Sequence, residues 1–428
     1  MKLIKSLVNV MSRKLIKPCT PTPHNLRTHK LSFIDKVNPT MNSASILYYP
    51  FNENIRCVNN LEKSLAQILP QFYPFAGRYS KEDQLVDCSD QGAEFVEAQV
   101  DCKLVDIIGL EELNDFLPVE VGAADEVTDP IMSIQINKFK CGGIAIATSI
   151  SHRISDGASL NTFLSAWAKA SRGDQTEPII PNFDSPLYFP GQNLGTPDYG
   201  IMRTRNPTLV TKRILFDSKA VATLRDRVNH LYENSHRPAS RVLLVTSFLT
   251  EALLRSDRAK LGKPRGCLLI QVVNIRERTV PPLSKYSCGN LITLASVECS
   301  ADETKSMDFE HYVPLLGNTV KKTVSDCVKI LGKDGHKILF ENLARVVAKA
   351  GDSSINSIHF TDLCKFGFYE VDFGFGKPIW TTIANVPMKN LVILLNTKES
   401  DGIEAWVHLH EEDMHYFEQD EEIKKITT

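Results

Sequence analysis

The sequence lacks the features that mark several large classes of protein. Its 428 residues carry 49 Lys and Arg against 51 Asp and Glu, so no excess of basic charge indicates a nucleic-acid-binding surface. No apolar run approaches the length needed to span a bilayer. At the N-terminus, the apolar run is broken by Lys5, Ser6 and Asn9, which argues against a signal peptide. We therefore expect a cytoplasmic protein without a nucleic-acid or membrane partner.

Metal and disulfide signatures are also missing. The ten cysteines are scattered, with no C-x-x-C pair and no Cys/His cluster at zinc spacing. His408 and His410 share a face of a predicted strand, but no third ligand lies nearby in sequence. The pattern predicts reduced thiols, no metal and no permanently bound cofactor.

The length of the chain predicts more than one domain. The stretch from Gly173 to Pro207 is rich in Pro, Gly, Asn and Asp and has no sustained periodicity, which is typical of a linker. The sequence thus predicts a disordered extension over 1–15, an N-terminal domain over 16–180, a linker over 181–208 and a C-terminal domain over 209–428.

Strand and helix patterns alternate in both halves, which predicts a mixed α/β protein. Strand patterns occupy 43–49, 131–139 and 143–151, and two more near the end indicate a closing hairpin. Helical spacing unites the apolar residues Leu61, Leu65, Ile68, Leu69 and Phe72. Ser218 is a plausible N-cap of a helix in the second half, and residues 411–426 indicate one terminal amphipathic helix.

The first candidate site is the sequence HRISDG, from His152 to Gly157. His152 ends an apolar strand and Asp156 begins an amphipathic helix, and such junctions expose side chains into clefts. A neutral imidazole suits removal of a proton from an alcohol that attacks a carbonyl carbon. The alternative, with about equal weight, is that Asp156 only caps the helix and that His152 is a satisfied core histidine.

The second candidate site is DFGFG, from Asp372 to Gly376, whose glycines permit a tight turn. The letters DFG also occur in protein kinases, but the glycine-rich loop, the H-R-D loop and the V-A-I-K strand are missing. The chain also has no P-loop, G-x-S-x-G elbow, H-E-x-x-H or strand-linked dinucleotide fingerprint.

Together, an early HxxxDG and a late DFGxG resemble the plant BAHD acyl-CoA-dependent acyltransferases. Further landmarks of the family stand in the same order over nearly the whole chain: LIKPCTPTP, YPFAGR, VNIRER, CGN and FYEVDFGFGKPIW. The resemblance is strongest to the alkaloid-acetylating branch. It implies two chloramphenicol-acetyltransferase-like domains with mixed sheets, a tunnel at their interface, and a monomer that takes an acyl-CoA and a small-molecule alcohol.

The resemblance also implies roles for individual residues. His152 would be the general base, while Asp156 would pair with Arg276 to hold the loop that also contains Gly157. Thr361 and Ser247 would lie near coenzyme A, and Asp372, Gly374 and Gly376 would form a structural turn near its entrance. The predicted activity is transfer of an acyl group, preferably acetyl, to a hydroxyl of an indole-type alkaloid.

Some positions depart from the family pattern. Phe375 replaces a tryptophan, and Thr361-Asp362-Leu363 stands where a Thr/Ser-Ser-Trp sequence is usual. Loss of that indole donor would cost at most about 3 kcal/mol of oxyanion stabilisation. Three alternatives therefore stay open: malonyl transfer, reuse of the tunnel for cyclisation or elimination, and a binding protein without catalysis. Retention of His152, Asp156 and Arg276 argues against the last.

Overall fold

The computed structural model describes residues 7–38, 41–53, 59–121, 128–191, 208–233 and 238–427. The chain forms two compact units, each built around a six-stranded sheet with helices, as the mixed α/β prediction required. The first unit contains Met1–Arg205, Ser284–Leu291 and Phe366–Pro387, and the second contains Asn206–Leu283, Ile292–Lys365 and Met388–Thr428.

The predicted domain boundary is wrong in one respect. Residues 284–291 and 366–387 were assigned to the C-terminal domain, but both segments pack with the first unit. The DFGFG turn consequently belongs to the same unit as His152. A single boundary along the sequence cannot describe this arrangement. The composition of the chain indicates where a linker lies, but it does not indicate that a later segment packs with the first unit. Residues 192–207 of the predicted linker lie outside the described residues.

The first unit contains two β-sheets. Their strands are β1 Val8–Ile16, β2 Thr28–Lys30, β3 Asn42–Tyr49, β4 Arg78–Ser80, β5 Leu85–Asp87, β6 Ala93–Val100, β7 Met132–Phe139, β8 Ile144–Ser151 and β13 Trp380–Ile383. The large sheet is mixed and has the order β1-β6-β7-β8-β3-β13, and the small sheet has the order β2-β5-β4. Strands β6 and β7 are parallel, and the other neighbours in the large sheet are antiparallel. The α-helices are α1 Phe33–Val37, α2 Asn59–Ile68, α3 Gly157–Arg172 and α4 Ser185–Tyr188.

The prediction that residues 1–15 are disordered is wrong for residues 8–15. They form most of β1, which pairs with β6 and is anchored by an ion pair of 2.5 Å between Arg13 Nη1 and Glu94 Oε1. Of this strand only Ile16 is buried, so no alternation of apolar and polar residues marks it in the sequence. Residues 1–6 lie outside the described residues.

The second unit contains one large sheet. Its strands are β9 Leu209–Phe216, β10 Cys267–Asn274, β11 Ile292–Cys299, β12 Asn356–Asp362, β14 Leu391–Asn396 and β15 Ile403–His410. They lie in the order β11-β10-β12-β14-β15-β9. Strand β12 runs parallel to both its neighbours, and the predicted closing hairpin is the antiparallel pair β14–β15. The helices are α5 Ser218–Val228, α6 Arg241–Leu261, α7 Ala301–Ser306, α8 Phe309–Asp326, α9 Gly335–Ala350, α10 Glu411–Glu418 and α11 Glu421–Ile426.

Two helix ends in the second unit differ from the sequence prediction. The N-cap of α5 is Asp217, not Ser218, because the Asp217 carboxylate accepts the amide of Ala220 at 2.7 Å. The terminal helix is divided into α10 and α11, since Asp420 caps α11 and is held by two bonds from Arg255 at 2.8 and 2.9 Å. No helix within the described ranges is both long and apolar enough to cross a bilayer.

An aromatic cluster joins α3 to the DFGFG turn inside the first unit. Phe373 is fully buried, edge-on to Trp167 at a centroid distance of 4.8 Å and to Tyr49 at 6.1 Å. Phe375 is also buried, stacks on Phe373 at 6.0 Å and meets Tyr49 edge-on at 4.9 Å. Phenylalanine therefore fills the place of the usual tryptophan with ordinary aromatic packing.

Replacing Phe373 with alanine is expected to destabilise the first unit by about 3–5 kcal/mol, since the change leaves a cavity between buried rings. Thermal unfolding monitored by tyrosine and tryptophan fluorescence would measure the loss. Phe51→Ala is the control, because Phe51 is 63% exposed and should unfold like the wild type. Equal melting temperatures for Phe373→Ala and wild type would contradict the packing argument.

Candidate functional site

His152 lies directly after β8, where the strand leaves the sheet and turns toward α3. Its backbone N–H donates to the carbonyl of Met41 at 2.8 Å, and the N–H of Ile154 closes a turn onto Ser151 O at 3.2 Å. The residue is partly exposed, whereas its ring atom Nδ1 is buried. The residue is thus largely enclosed by the protein, with only a minor part of its surface exposed.

The environment favours the neutral form of this imidazole. Burial lowers the pKa of His152 below its ordinary value of 6.5. Hydrogen bonds to its own backbone and to the Asn290 side chain, together with the negative charge of Asp156, oppose that shift without cancelling it. A neutral imidazole at the end of a strand can accept a proton from a bound hydroxyl.

Asp156 is the N-cap of α3, as the structural alternative predicted. Its Oδ1 accepts the backbone N–H and the Oγ of Ser159, both at 2.9 Å. Its Oδ2 accepts the backbone N–H of Leu291 at 3.1 Å, so the carboxylate also holds a segment 135 residues away. Gly157 is the first residue of the capped helix. These contacts are those of a structural residue at the start of α3; its role beside His152 in catalysis stays a prediction.

The segment 284–291 contributes contacts for which the sequence analysis proposed no role. Asn290 Nδ2 donates to the carbonyl oxygen of His152 at 2.7 Å. Gly289 has a φ of +116°, and a Cβ at this position would lie 2.6 Å from Ser185 Oγ. Both residues belong to the CGN motif, so the sequence does mark this segment. Nothing in the motif, however, indicates a contact with His152.

Arg276 follows β10 in the second unit and is buried. Its backbone N–H and its Nη1 lie 3.0 and 3.2 Å from Asn274 Oδ1, which fixes the side chain beside its own strand. The pairing of Arg276 with Asp156 stays a prediction.

The DFGFG segment forms a tight turn held by its own aspartate. Asp372 Oδ1 accepts the backbone N–H groups of Gly374 at 2.7 Å and Gly376 at 2.9 Å. Both glycines have positive φ, +104° and +96°, which other residues rarely adopt. Arg172, the last residue of α3, donates to the carbonyl of Asp372. These contacts agree with the predicted structural turn; a role near coenzyme A stays a prediction.

The other predicted coenzyme A contacts lie in the second unit. Thr361 is partly exposed on β12, beside Ile393 of β14. Asp362, which departs from the family pattern, accepts the N–H of Cys364 at 2.9 Å through Oδ1. Ser247 is fully buried in α6, and its Oγ has no partner among the described residues. Contacts of Thr361 and Ser247 with coenzyme A stay predictions.

Histidine, cysteine and carboxylate side chains do not converge in groups of three within the described parts of the chain. His408 instead places its Nδ1 3.1 Å from the carbonyl of Leu391, its neighbour across the hairpin.

Comparison with known proteins identifies the family. The model of the Transferase family matches residues 6–424. A Salvia splendens enzyme, pelargonidin 3-O-(6-caffeoylglucoside) 5-O-(6-O-malonylglucoside) 4'''-malonyltransferase, is 39% identical over 97% of this chain and 99% of its own length. Vinorine synthase of Rauvolfia serpentina is 34% identical over 94% of each chain. The chain belongs to the BAHD acyltransferase family.

The crystal structure of vinorine synthase superposes on this BAHD member with a TM-score of 0.84, 31% identity and 98% coverage of both chains. The structure of F. sporotrichioides TRI101 complexed with coenzyme A and T-2 shares the fold, with a TM-score of 0.73 at 19% identity and coverage of 94% of this chain and 99% of that one. The predicted family and two-unit mixed fold are therefore confirmed. The chain is an acyltransferase with an acyl-CoA as its co-substrate.

Asp156→Ala is expected to destabilise the first unit by about 2–4 kcal/mol. The change removes a helix cap worth about 1 kcal/mol and leaves the buried N–H of Leu291 without its acceptor, which costs about 1–3 kcal/mol. Asp217→Ala in α5 is the matched control, because that carboxylate makes the cap bond and is expected to cost about 1 kcal/mol. Chemical denaturation of both variants measures the difference, and equal losses would show that the Leu291 contact adds nothing.

Proposed function

We propose that His152 is the general base of an O-acyl transfer in which an acyl group, preferably acetyl, passes from coenzyme A to a hydroxyl of a small plant metabolite. The supporting observation is a largely buried histidine at a strand end, whose pKa is lowered by burial, in a chain of the BAHD family. An imidazole whose pKa lies below the ordinary 6.5 is largely unprotonated at pH 7 and can act as a base.

The proposed reaction needs neither a metal nor a covalent enzyme intermediate, because His152 both takes up and returns the proton. His152 takes the proton of the acceptor hydroxyl as its oxygen attacks the thioester carbon. The tetrahedral intermediate collapses, the carbon–sulfur bond breaks, and the imidazolium returns the proton to the leaving thiolate. The products are an ester and free coenzyme A. Each proton-transfer step of this kind contributes roughly 10²–10⁴-fold in rate.

In this scheme Asp156 has a structural role and takes no proton itself. Its two oxygens accept donors from Ser159 and Leu291, so it fixes the start of α3 four residues after the base. Its charge also keeps the pKa of His152 from falling as far as burial alone would take it.

The identity of the acceptor rests on the relatives. Vinorine synthase and stemmadenine O-acetyltransferase, both named for alkaloid chemistry, share 34% identity with this chain, and we propose an indole-type alkaloid as the acceptor and acetyl as the acyl group. A second candidate is malonyl transfer to a glycosylated pigment, favoured by the 39% identity with the Salvia splendens malonyltransferase.

The first test is acceptor-dependent release of free thiol from acetyl-CoA and malonyl-CoA, with hydroxylated indole alkaloids and glucosylated anthocyanins as acceptors. His152→Ala is expected to lose about 10²–10⁴-fold in kcat, because the base is removed. His24→Ala, a change at an exposed histidine, should behave like the wild type. The donor and acceptor that release thiol together identify the substrate class.

Two outcomes would contradict this proposal. Wild-type thiol release by His152→Ala would exclude His152 as the base. Conversion of an alkaloid without any coenzyme A, and no thiol release with either donor, would instead favour a cyclisation or elimination that reuses the same base.

The pH dependence of kcat/KM provides a second prediction. The base must be neutral, so activity is retained above the lowered pKa of His152 and lost as the pH falls through it. We expect the midpoint of the acid limb below 6.5. Asp156→Asn keeps a helix-capping side chain but removes the opposing charge, so it should move the midpoint further down. An acid limb centred above pH 7, in enzyme still folded by circular dichroism, would contradict the assignment.

A further inference from the structure

A second carboxylate in the first unit is completely enclosed and has no part in the reaction scheme above. Asp35 lies in α1 with 0% of its surface exposed. Its Oδ2 accepts the backbone N–H of Ser32 at 2.9 Å and the Oγ of Ser32 at 2.6 Å, which completes a capping box at the start of the helix. The capping box satisfies donors of Ser32 and uses only one of the two carboxylate oxygens. It does not account for the contacts of Oδ1.

The other oxygen faces a distant segment. Asp35 Oδ1 accepts both the backbone N–H of Asn290 at 2.8 Å and its Nδ2 at 2.9 Å, across 255 positions of sequence. The same Nδ2 donates its second hydrogen to the carbonyl oxygen of His152 at 2.7 Å. A chain of hydrogen bonds therefore runs from a buried carboxylate, through one amide, to the backbone of the candidate base.

This arrangement selects one orientation of the Asn290 amide. The group faces two acceptors, a carboxylate oxygen and a carbonyl oxygen, so the NH₂ end must point toward both. The flipped amide would place its oxygen against two other oxygens. Asp35 Oδ1, which accepts two hydrogens from Asn290, therefore fixes the orientation that also binds the His152 carbonyl.

We propose that Asp35 is a positioning residue for His152, acting through Asn290. Both peptide groups that flank the His152 Cα are then held. The N–H on one side donates to Met41 O at 2.8 Å, and the C=O on the other accepts Asn290 Nδ2 at 2.7 Å. A Cα pinned on both sides holds its imidazole in one place, which is what efficient proton transfer requires.

The role in catalysis rests on the proposed function, whereas the hydrogen-bonded chain is independent of it. The competing explanation is that Asp35 only caps α1. The two roles use different oxygens, since Oδ2 serves Ser32 and Oδ1 serves Asn290. Substitutions on the two sides therefore separate them.

The test compares Asp35→Asn, Asn290→Ala, their double variant and the control Ser32→Ala. Asp35→Asn replaces an acceptor with a donor group, so the four donors around the carboxylate cannot all be accepted. We expect Asp35→Asn and Asn290→Ala each to lower kcat about 10- to 100-fold with little change in the KM for acyl-CoA. The double variant should lose no more than Asn290→Ala, because Asp35 acts through that residue. Ser32→Ala should lower the melting temperature yet keep kcat.

Amide hydrogen exchange gives a readout that does not depend on the chemistry. The His152 amide should exchange faster in Asp35→Asn and in Asn290→Ala than in Ser32→Ala or wild type. If His152→Ala retains activity, the proposed function fails, yet faster exchange would still show that Asp35 holds this loop.

Three results would overturn the positioning role. One is unchanged kcat and unchanged His152 exchange in Asp35→Asn. Another is a double variant whose losses multiply, since two independent effects would then be acting. The third is a loss of kcat in Ser32→Ala equal to that in Asp35→Asn. Should Asp35→Asn fail to fold, wild-type kcat and exchange in Asn290→Ala would alone reject the proposal.

Discussion

The geometry around the candidate base depends on how its backbone is held. A strand end is normally a place where the chain gains freedom, because the ladder of interstrand hydrogen bonds stops there. Here the peptide groups on both sides of His152 retain partners beyond the strand, Met41 on one side and Asn290 on the other. Four residues later, Asp156 caps the start of α3 and accepts the N–H of Leu291. The turn is thus held at each end by residues distant in sequence.

This support bears on two needs of a histidine that acts as a base, the role proposed for His152. Burial lowers its pKa and favours the neutral form, but burial also removes the space that a substrate needs. Hydrogen bonds at the backbone can hold such a residue without occupying the space around its ring. Asp156 accepts backbone and hydroxyl donors from Ser159 and Leu291, contacts that suit the structural role proposed for it.

Local features of the fold could be predicted because they depend on local physics. Apolar residues at helical spacing predicted α2 and α3, and short apolar runs predicted β3 and the β14–β15 hairpin. The strand-to-helix junction predicted where His152 and Asp156 lie. Strand β1 was missed since its pairing with β6 uses backbone groups while Val10, Met11 and Leu15 stay exposed. The return of residues 284–291 and 366–387 to the first unit was missed because nothing in composition encodes a long-range partner.

In the candidate site, too, the local features could be predicted from the sequence and the long-range contacts could not. The chemistry-bearing residues stand out as a motif, but Asn290 reaches the His152 carbonyl across 138 positions and Asp35 reaches Asn290 across 255. Neither residue type is unusual where it stands, and a Ser-x-x-Asp sequence before an apolar helix already has an explanation as a capping box. One carboxylate can satisfy a local rule with one oxygen and serve a distant residue with the other.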